Sequence, residues 1–336
     1  MPRVLSVDPQ QPAPAILAEA RDVLARGGLV AFPTETVYGL GARGLDARAV
    51  AKIFRAKGRP SGHPVILHVD GEAMAQSLCA SWSELASRYA HAFWPGPLTL
   101  VVPKAASVPT EVTGGLDCVG IRAPAHPVAR ALIEAVGEPL AAPSANAHTH
   151  VSPTTADHVV RSLGDRVDLV LDGGPCAVGI ESTVLDLSAH PPRVLRPGGV
   201  SLEALLAIEP RTLHDVVRLE TDAPRAAPGM AAKHYAPRAR VVLTAQGVAS
   251  VAEALSREAP GAAVAALVIS DAARNAATGV RFVEQLPSEP VGYAQRLFAA
   301  LFSAEAANVE VIVIEGVPSD PPWWAVRDRL MRAAKP

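Results

Sequence analysis

The sequence predicts an α/β fold divided into two domains. Its 336 residues exceed the length of one ordinary domain. Hydrophobic residues make up 49% of the chain and charged residues 19%, so a sizeable core is available, although few aromatic residues contribute to it. Short apolar runs alternate with helical patterns along most of the chain, which is typical of a sheet covered by helices.

The first helix and strand are predicted near the N-terminus. The segment AILAEARDVLARGG places apolar residues on one helical face, and two glycines end the helix. The run LVAF then indicates a buried strand. DARAVAKIFRAKG predicts a short helix with Asp46 as its N-cap and Gly58 as the residue that ends it. The cations Lys57 and Arg59 flank this helix end.

The rest of the first domain continues in the same way. Further strands are predicted at PVILHV, LTLVV, CVGIR, PLAAP, DLVLD, STVLDL and RVLR. Helical patterns lie around 82–93, 126–136 and 154–163. A sheet covered by helices is therefore expected over residues 1–209.

Near residue 209 the pattern changes. Residues 210–239 contain four prolines and little hydrophobic periodicity, which predicts a linker. Residues 240–336 then alternate apolar strands with helices, in the order RVVLTA, a helix near 247–258, AVAALVIS, a helix around 291–305, VEVIVIEGV and WWAVRDRLMRAA. This alternation predicts a second α/β domain with a small parallel sheet.

The charge and cysteine content argue against several classes of protein. The formal net charge of -2 provides no global attraction for nucleic acid, although a basic strip runs from Arg43 to Arg59. Three widely spaced cysteines favour a reducing compartment over a disulfide framework. The first residues lack the apolar stretch of a signal peptide, and no apolar run reaches the roughly 20 residues that span a bilayer. We therefore expect a cytoplasmic protein without a membrane partner.

The stretch GLGARG, Gly39–Gly44, matches the G-x-G-x-x-G pattern of dinucleotide-binding proteins letter for letter. In that motif the first glycine ends a strand and the third lies in the first helical turn. Here Pro33 to Tyr38 intervene after the strand, and Gly44 precedes the expected N-cap. The glycines are therefore predicted to shape a strand-to-helix turn rather than to bind a dinucleotide.

Polar residues adjoin several predicted strands. PTETVYG follows LVAF, the pair Lys57 and Arg59 precedes the next strand, and Ser144 and Asn146 follow PLAAP. GIEST leads into a strand, and VGIR and VLR each end in an arginine. Because ligands bind at the carboxyl ends of strands in open α/β sheets, this set predicts one site for an anionic ligand with several polar groups. Two structural explanations stay open, a solvated helix end for the cations and local turns for the hydroxyl and amide groups.

Other common kinds of site find little support. The histidines His63, His68, His148 and His150 lack the spacing and the cysteine partners of a zinc site. Ser144 lies in P-S-A-N rather than G-x-S-x-G, and no Walker A pattern occurs. We therefore expect neither a bound transition metal nor a serine nucleophile.

Taken in order, the polar motifs resemble one family closely. The motifs are FPTETVYGLG, KGR followed by HPVILHV, VGIRAP, SAN with SPT, GIESTVLDL, VLRPGG, the linker segment PGMAAKHYAP and the terminal AVRDRLMRAA. They cover essentially the whole chain, which is similar to the long form of the L-threonylcarbamoyladenylate synthases. The resemblance implies a YrdC-like (DHBP synthase-like) catalytic domain with a twisted mixed sheet, followed by a smaller Rossmann-like parallel α/β domain.

The resemblance also implies an activity. Members of this family make L-threonylcarbamoyl-AMP from L-threonine, bicarbonate or CO2, and ATP with Mg²⁺, and they supply a separate tRNA threonylcarbamoyl transferase complex. By similarity, the residues of the L-threonine pocket are Thr36, His68, Arg122, Ala142 and Ser182. Those around ATP are the expected catalytic cations Lys57 and Arg59, then His63, Cys118, Ser144, Asn146, Ser152 and Arg196, with Tyr235 and Arg238 of the linker as a lid.

The chain departs from the family pattern at three places. His148 and Thr149 replace a common Ser-Gly pair, His63 replaces a common Asn, and Cys118 replaces a frequent Thr. At Cys118 we therefore expect a contact through the backbone.

Two other functions remain to be considered. The alternative is a YrdC-like protein that binds double-stranded RNA or tRNA through the basic strip without catalysis, and the same strip would also suit a weak tRNA contact by the enzyme. A carbamoyl transferase of the hydrogenase-maturation type would carry acylphosphatase and zinc-finger modules, and neither is visible in the sequence.

Overall fold

The chain forms two compact α/β units, as its length predicts. The structure, a computed structural model, describes residues 2–214, 234–258 and 261–335. Among these residues, the first unit comprises 2–148, 152–177 and 181–214. The second unit comprises 149–151, 178–180, 234–258 and 261–335.

The expected domain boundaries, 1–209 and 240–336, stay a prediction. Of the expected linker, 210–239, residues 215–233 lie outside the described part of the chain. Two short loops, 149–151 and 178–180, group with the second unit although their sequence neighbours belong to the first. No helix among the described residues is long and apolar enough to cross a membrane.

Ten strands form one mixed sheet in the described part of the first unit. They are β1 (Arg3–Ser6), β2 (Val30–Phe32), β3 (Gly39–Arg43), β4 (Ile66–His68), β5 (Leu98–Pro103), β6 (Cys118–Arg122), β7 (Leu140–Ala141), β8 (Leu169–Asp172), β9 (Thr183–Asp186) and β10 (Arg193–Arg196). Their order is β1-β8-β2-β3-β7-β4-β6-β5-β9-β10. Strand β6 is parallel to β4 and antiparallel to β5, and the expected mixed sheet is confirmed.

The helices described in this unit are α1 (Pro14–Ala25), α2 (Ala47–Lys57), α3 (Glu72–Ser77), α4 (Glu84–Phe93), α5 (Thr110–Thr113), α6 (Pro127–Val136), α7 (Ala156–Leu163) and α8 (Leu202–Ile208). The helices and strands predicted for this domain are confirmed. Helices α3, α5 and α8 were missed because they are too short to show a hydrophobic period, and strand β1 was missed because most of its residues are exposed. Leu24 of α1, Phe32 of β2 and Leu132 of α6 pack together in the core.

Helix α2 begins and ends as predicted. The Asp46 carboxylate accepts hydrogen bonds from the backbone N–H groups of Arg48 (2.9 Å) and Ala49 (3.2 Å), which caps the first turn. Gly58 ends the helix in the left-handed conformation, with φ of 62°. The helix therefore places Lys57 in its last turn, immediately before the chain changes direction.

The prediction that the glycines of GLGARG shape a strand-to-helix turn was wrong for Gly39 and Gly41, whereas Gly44 does lie in the turn between β3 and α2. Residues Gly39–Arg43 form β3, which pairs with β2 in antiparallel fashion. A Cβ atom at Gly41 would lie 2.7 Å from Cε1 of Phe32 and 3.1 Å from the carbonyl oxygen of Val30. The glycine therefore leaves room for an aromatic ring of the neighbouring strand.

We expect a Gly41→Ala variant to unfold at a lower urea concentration than the wild-type protein. The added methyl group would collide with the Phe32 ring in a packed core, and overpacking of this kind costs about 1–3 kcal/mol. Gly71→Ala is the matched control, because a Cβ atom at Gly71 meets no other atom within 4 Å. Equal unfolding midpoints for the two variants would contradict this packing explanation.

The second unit contains a four-stranded sheet in its described residues, and each of its strand pairs is parallel. The strands are β11 (Arg240–Leu243), β12 (Val264–Val268), β13 (Phe282–Gln285) and β14 (Val311–Ile314), in the order β11-β14-β12-β13. The helices are α9 (Val248–Glu258), α10 (Asp271–Ala276), α11 (Pro290–Ala306) and α12 (Trp324–Ala333). The predicted parallel domain is confirmed. Strand β13 was missed because it is only half-buried and lacks a long apolar run, and α10 because it is short.

Candidate active site

The residues predicted for an amino-acid pocket gather around the ends of several strands of the first unit. Strands β4 and β6 are parallel neighbours, so their last residues, His68 and Arg122, are paired in register. Strand β7 pairs with β4 and leads into Ala142. Strand β2 leads into a polar turn whose Thr36 hydroxyl is bonded to Arg122. The sheet therefore brings Thr36, His68, Arg122 and Ala142 into one region.

The Arg122 guanidinium is held on three sides. Its Nη1 donates to Oγ1 of Thr36 (2.8 Å), and its Nε donates to the carbonyl oxygen of Gly96 (3.1 Å). Its Nη2 forms an ion pair with Oε1 of Glu35 at 2.6 Å. Only 3% of Arg122 is exposed. A guanidinium has five N–H donors in one plane, so a buried guanidinium fixed in this way keeps a geometry that suits the two oxygens of a carboxylate.

Glu35 belongs to the site although the sequence motifs assigned it no role. Its Oε1 pairs with Arg122, and its Oε2 accepts a hydrogen bond from the backbone N–H of Ala125 (3.0 Å). The residue is 9% exposed. Its position directly after a buried strand was the available signal, because a glutamate is rarely buried without a partner.

His68 is a buried and neutral imidazole. It is 4% exposed, and its Nδ1 has no hydrogen-bond partner among the described residues. Burial lowers the pKa of His68 to about 3, and the positive charge of Arg122 acts in the same direction. The ring is therefore uncharged at neutral pH, so it offers a polar contact to a ligand without adding charge.

The Ser182 hydroxyl is bound by a second buried arginine, Arg196. Arg196, at the end of β10, donates from Nη2 to Oγ of Ser182 (3.1 Å) and from Nε to the carbonyl oxygen of the same residue (3.1 Å). The Thr99 hydroxyl lies 2.8 Å from Ser182 Oγ. The neighbouring Glu181 accepts a hydrogen bond from the Ser152 hydroxyl at 2.5 Å. The predicted residues Ser152, Ser182 and Arg196 therefore lie in one hydrogen-bonded group. Thr99 and Glu181 belong to the same group, although neither was among the predicted binding residues.

Lys57 is buried rather than solvated. It is 3% exposed, and its ammonium group donates to the carbonyl oxygens of Ser144 and Asn146. Burial lowers the pKa of Lys57, and the charges of Arg59 and Arg166 lower it further. The explanation of Lys57 as part of a solvated helix end is therefore wrong. Lys57 therefore links the end of α2 to the loop that carries Ser144 and Asn146.

Two departures from the family pattern are neighbours in space. The ring centroids of His63 and His148 lie 5.6 Å apart. The backbone N–H of His148 donates to the carbonyl oxygen of Lys57 (2.8 Å), and Arg59 Nη2 donates to that of Pro64 (2.8 Å). The loop after α2 and the loop after β7 therefore meet beside Lys57.

Cys118 opens β6 with its side chain among apolar residues. The thiol packs against the cluster of Val101, Val184 and Leu195, and burial raises its pKa. A half-buried thiol in this setting is a poor ligand group, which agrees with a contact through the backbone. That contact itself stays a prediction.

The two predicted lid residues belong to the second unit. Tyr235 is 1% exposed, its ring stacks on Phe298 with centroids 5.6 Å apart, and the Arg329 guanidinium lies 5.0 Å from its centroid. Arg238 is exposed and forms an ion pair with Glu305 at 3.9 Å. Their contact with a nucleotide stays a prediction.

The site is rich in cations, hydroxyls and backbone groups. Among the residues that the structure describes, no group of three or more His, Cys, Asp or Glu side chains could hold a metal ion. Mg²⁺ commonly binds through substrate phosphates and water rather than in a cage made by the protein. A magnesium ion that arrives with a nucleotide stays a prediction.

The fold and the site together define an α/β protein in which buried arginine, histidine, lysine and hydroxyl groups gather at strand ends of the first unit. Two family models match the chain. Residues 22–198 match the model of Sua5, YciO and YrdC, described as telomere recombination. Residues 200–335 match the model described as the threonylcarbamoyl-AMP synthase C-terminal domain.

Known proteins resemble the chain over nearly its whole length. The threonylcarbamoyl-AMP synthase of Pyrococcus abyssi is 40% identical over 324 residues, which cover 94% of this chain and 93% of that protein. The synthase of Bacillus subtilis is 37% identical, with 95% and 92% covered. The crystal structure of P. abyssi Sua5 complexed with L-threonine has a TM-score of 0.92 at 37% identity, and the match covers 98% of this chain and 97% of that one. The chain belongs to the threonylcarbamoyl-AMP synthase family in its two-domain form, and it is an enzyme.

Proposed function

We propose that this chain makes L-threonylcarbamoyl-AMP from L-threonine, bicarbonate or CO2, and ATP, with release of pyrophosphate. The observation that carries the proposal is the buried Arg122 guanidinium, fixed on three sides beside the neutral His68 and suited to a carboxylate. The relatives named threonylcarbamoyl-AMP synthase and the relative solved with L-threonine support the same chemistry. The reaction is a nucleotidyl transfer to a carbamate oxygen.

L-Threonine needs several different partners, because it carries a carboxylate, an amino group and a hydroxyl. In this proposal Arg122 binds the carboxylate, and Thr36, His68 and Ser182 contact the other two groups. The backbone of Ala142 lines the pocket. Each of these residues is buried, so bound threonine is removed from water. Desolvation disfavours the charged ammonium form and helps to supply the neutral amine that the reaction requires.

ATP lies beside the threonine pocket in this proposal. Its partners are Lys57, Arg59, His63, Cys118 through the backbone, Ser144, Asn146, Ser152 and Arg196. The lid role of Tyr235 and Arg238 stays a prediction. Lys57 holds the loop of Ser144 and Asn146 and offers its third N–H to a phosphate oxygen. Mg²⁺ would arrive with ATP and would neutralise charge on its phosphates.

The chemistry needs no covalent protein intermediate. The threonine amine attacks CO2 and, after losing a proton, becomes a carbamate. A carbamate oxygen then attacks the α-phosphorus of ATP in line, and the bond to the leaving pyrophosphate breaks. The protein contributes position and charge, since Lys57 and Arg59 stabilise negative charge that develops on the phosphates.

The product is an activated acyl adenylate, which a tRNA threonylcarbamoyl transferase complex consumes in the cytoplasm in this proposal. A weak direct tRNA contact is compatible with it. RNA binding without catalysis draws less support, because the basic strip loses several of its cations to internal contacts. Arg43 pairs with Glu138, Lys52 donates to the carbonyl oxygen of Gly27, and Lys57 is buried.

The test is an omission assay with purified full-length protein. We expect pyrophosphate release only when ATP, Mg²⁺, L-threonine and bicarbonate are all present, together with a threonylcarbamoyl-AMP adduct detected by mass spectrometry. Each component is left out in turn as the control. Pyrophosphate release that does not depend on threonine would refute the proposed function, and salt-sensitive tRNA binding without release would favour the RNA-binding alternative.

A further inference from the structure

The turn after β2 contains hydroxyl groups whose hydrogen bonds have a fixed direction. Oγ1 of Thr34 lies 2.6 Å from the carbonyl oxygen of Val37, and only the Thr34 hydroxyl can supply the proton between these two oxygens. The same Oγ1 lies 2.8 Å from Oγ1 of Thr36. Oγ1 of Thr34 also accepts hydrogen bonds from the backbone N–H groups of Thr36 and Val37, both at 3.2 Å, so its lone pairs are shared among three donors. Because the single Thr34 proton is already used on Val37, Thr36 is the donor in the shorter contact between the two hydroxyls.

The hydrogen bond between Arg122 and Thr36 also has a fixed direction. Its Nη1 donates to Oγ1 of Thr36 at 2.8 Å, and a guanidinium can only donate. Thr36 therefore uses its proton on Thr34 and one lone pair on Arg122, which leaves one lone pair for a ligand. Thr34 and Thr36 are 2% and 1% exposed, so bulk water does not compete for these bonds.

We propose that Thr34 is a positioning residue, which fixes the Thr36 hydroxyl as a hydrogen-bond acceptor for the α-amino group of the amino-acid substrate. This inference rests on the proposed L-threonine site. Arg122 contacts both Thr36 and, in that site, the carboxylate, and the amino group shares its carbon atom with the carboxylate. The acceptor at Thr36 therefore meets the amino group.

The direction of the hydrogen bond between the Thr36 hydroxyl and the substrate amino group has a chemical consequence. A hydroxyl that donated to the amine would occupy the nitrogen lone pair, which must attack CO2. A hydroxyl held as an acceptor binds an amine N–H instead and leaves that lone pair available. Thr34 thus supports the reaction without touching the reacting atoms.

The experiment compares Thr34→Val with Thr34→Ser in the full-length enzyme. Valine keeps the β-branched shape and removes the hydroxyl, so the Thr36 proton can turn toward the substrate. We expect the Kd for L-threonine, measured by calorimetry, to rise about tenfold or more, because the Thr36 hydroxyl then no longer accepts the hydrogen bond from the amino group. The KM for ATP should change by less than about threefold. Thr34→Ser keeps the hydroxyl and should bind L-threonine within about threefold of wild type.

A ligand comparison identifies the group that Thr36 contacts. L-2-Aminobutyrate has the amino group of threonine but no side-chain hydroxyl, so we expect Thr34→Val to weaken both ligands by the same factor. A loss confined to L-threonine would overturn the assignment to the amino group. Equal L-threonine affinity for the Val and Ser variants would overturn the positioning role.

Two further outcomes distinguish a failure of the proposed function from a failure of the role assigned to Thr34. Wild-type protein that fails to bind L-threonine would refute the proposed function rather than the role of Thr34. If Thr34→Val does not unfold cooperatively, the same measurements are made on Thr34→Ala, which removes the hydroxyl without a bulkier replacement. An Ala variant with wild-type affinity for L-threonine would also overturn the positioning role.

Discussion

An Arg122→Lys enzyme is expected to lose threonine-dependent pyrophosphate release by about a hundredfold or more in kcat/KM for L-threonine. Lysine keeps a positive charge near Glu35, so the buried carboxylate retains a partner. The planar guanidinium of Arg122 contacts Thr36, Gly96 and Glu35, and in the proposal it also binds a carboxylate with two N–H donors. A lysine ammonium group cannot make all of these contacts at once. The KM for ATP should change little, because ATP uses other residues.

Steady-state kinetics with threonine and ATP varied separately provide the measurement. Arg193→Lys is the matched control, because Arg193 is also a strand arginine but is exposed at the start of β10. Thermal unfolding of both variants separates a loss of fold from a loss of binding. If Arg122→Lys had the wild-type KM for L-threonine, the proposed carboxylate partner would be ruled out.

A Lys57→Met enzyme is expected to lose pyrophosphate release by about a hundredfold to a thousandfold, mainly in kcat. Methionine preserves most of the volume of the side chain but removes its donors. The carbonyl oxygens of Ser144 and Asn146 then lose their partner, and the phosphate loses a nearby positive charge. Binding of L-threonine alone should be retained, since the threonine pocket is formed by other residues.

Lys52→Met provides the control for that loss. Lys52 lies on the same helix, is exposed, and donates to the carbonyl oxygen of Gly27. We expect this variant to keep wild-type turnover. Turnover is followed as pyrophosphate release at saturating ATP and L-threonine. Lys52→Met and Lys57→Met enzymes of equal activity would contradict a catalytic role for Lys57.

Local signals made much of the fold predictable. Helix α2 depends on an N-cap carboxylate, a hydrophobic period and a terminal glycine, and each acts within a few residues of the helix. Strands β12 and β14 of the second unit were recognisable because they are apolar and buried on both faces of a parallel sheet. Strand β13 carries too little apolar surface for the same pattern.

Prediction from the sequence failed where a residue's environment is set by a neighbouring strand or by a loop far along the chain. GLGARG had the spacing of a nucleotide-binding turn, yet its middle glycine lies under an aromatic ring of the adjacent strand. Lys57 had the setting of a solvated helix end, yet the loop after β7, almost 90 residues later, supplies the carbonyl groups that bind it. Neither contact follows from spacing along the chain.

The sequence by itself determined which residues have the chemistry for this site and where most helices and strands lie, because side-chain type, periodicity and capping are local properties. Only the tertiary structure decided how those groups are used. It paired Arg122 with Glu35 and with the Thr36 hydroxyl, and it turned the Lys57 ammonium toward two carbonyl groups. The physical reason is that burial requires each polar group to find a partner, and the available partners are set by the packing of strands far apart in the chain.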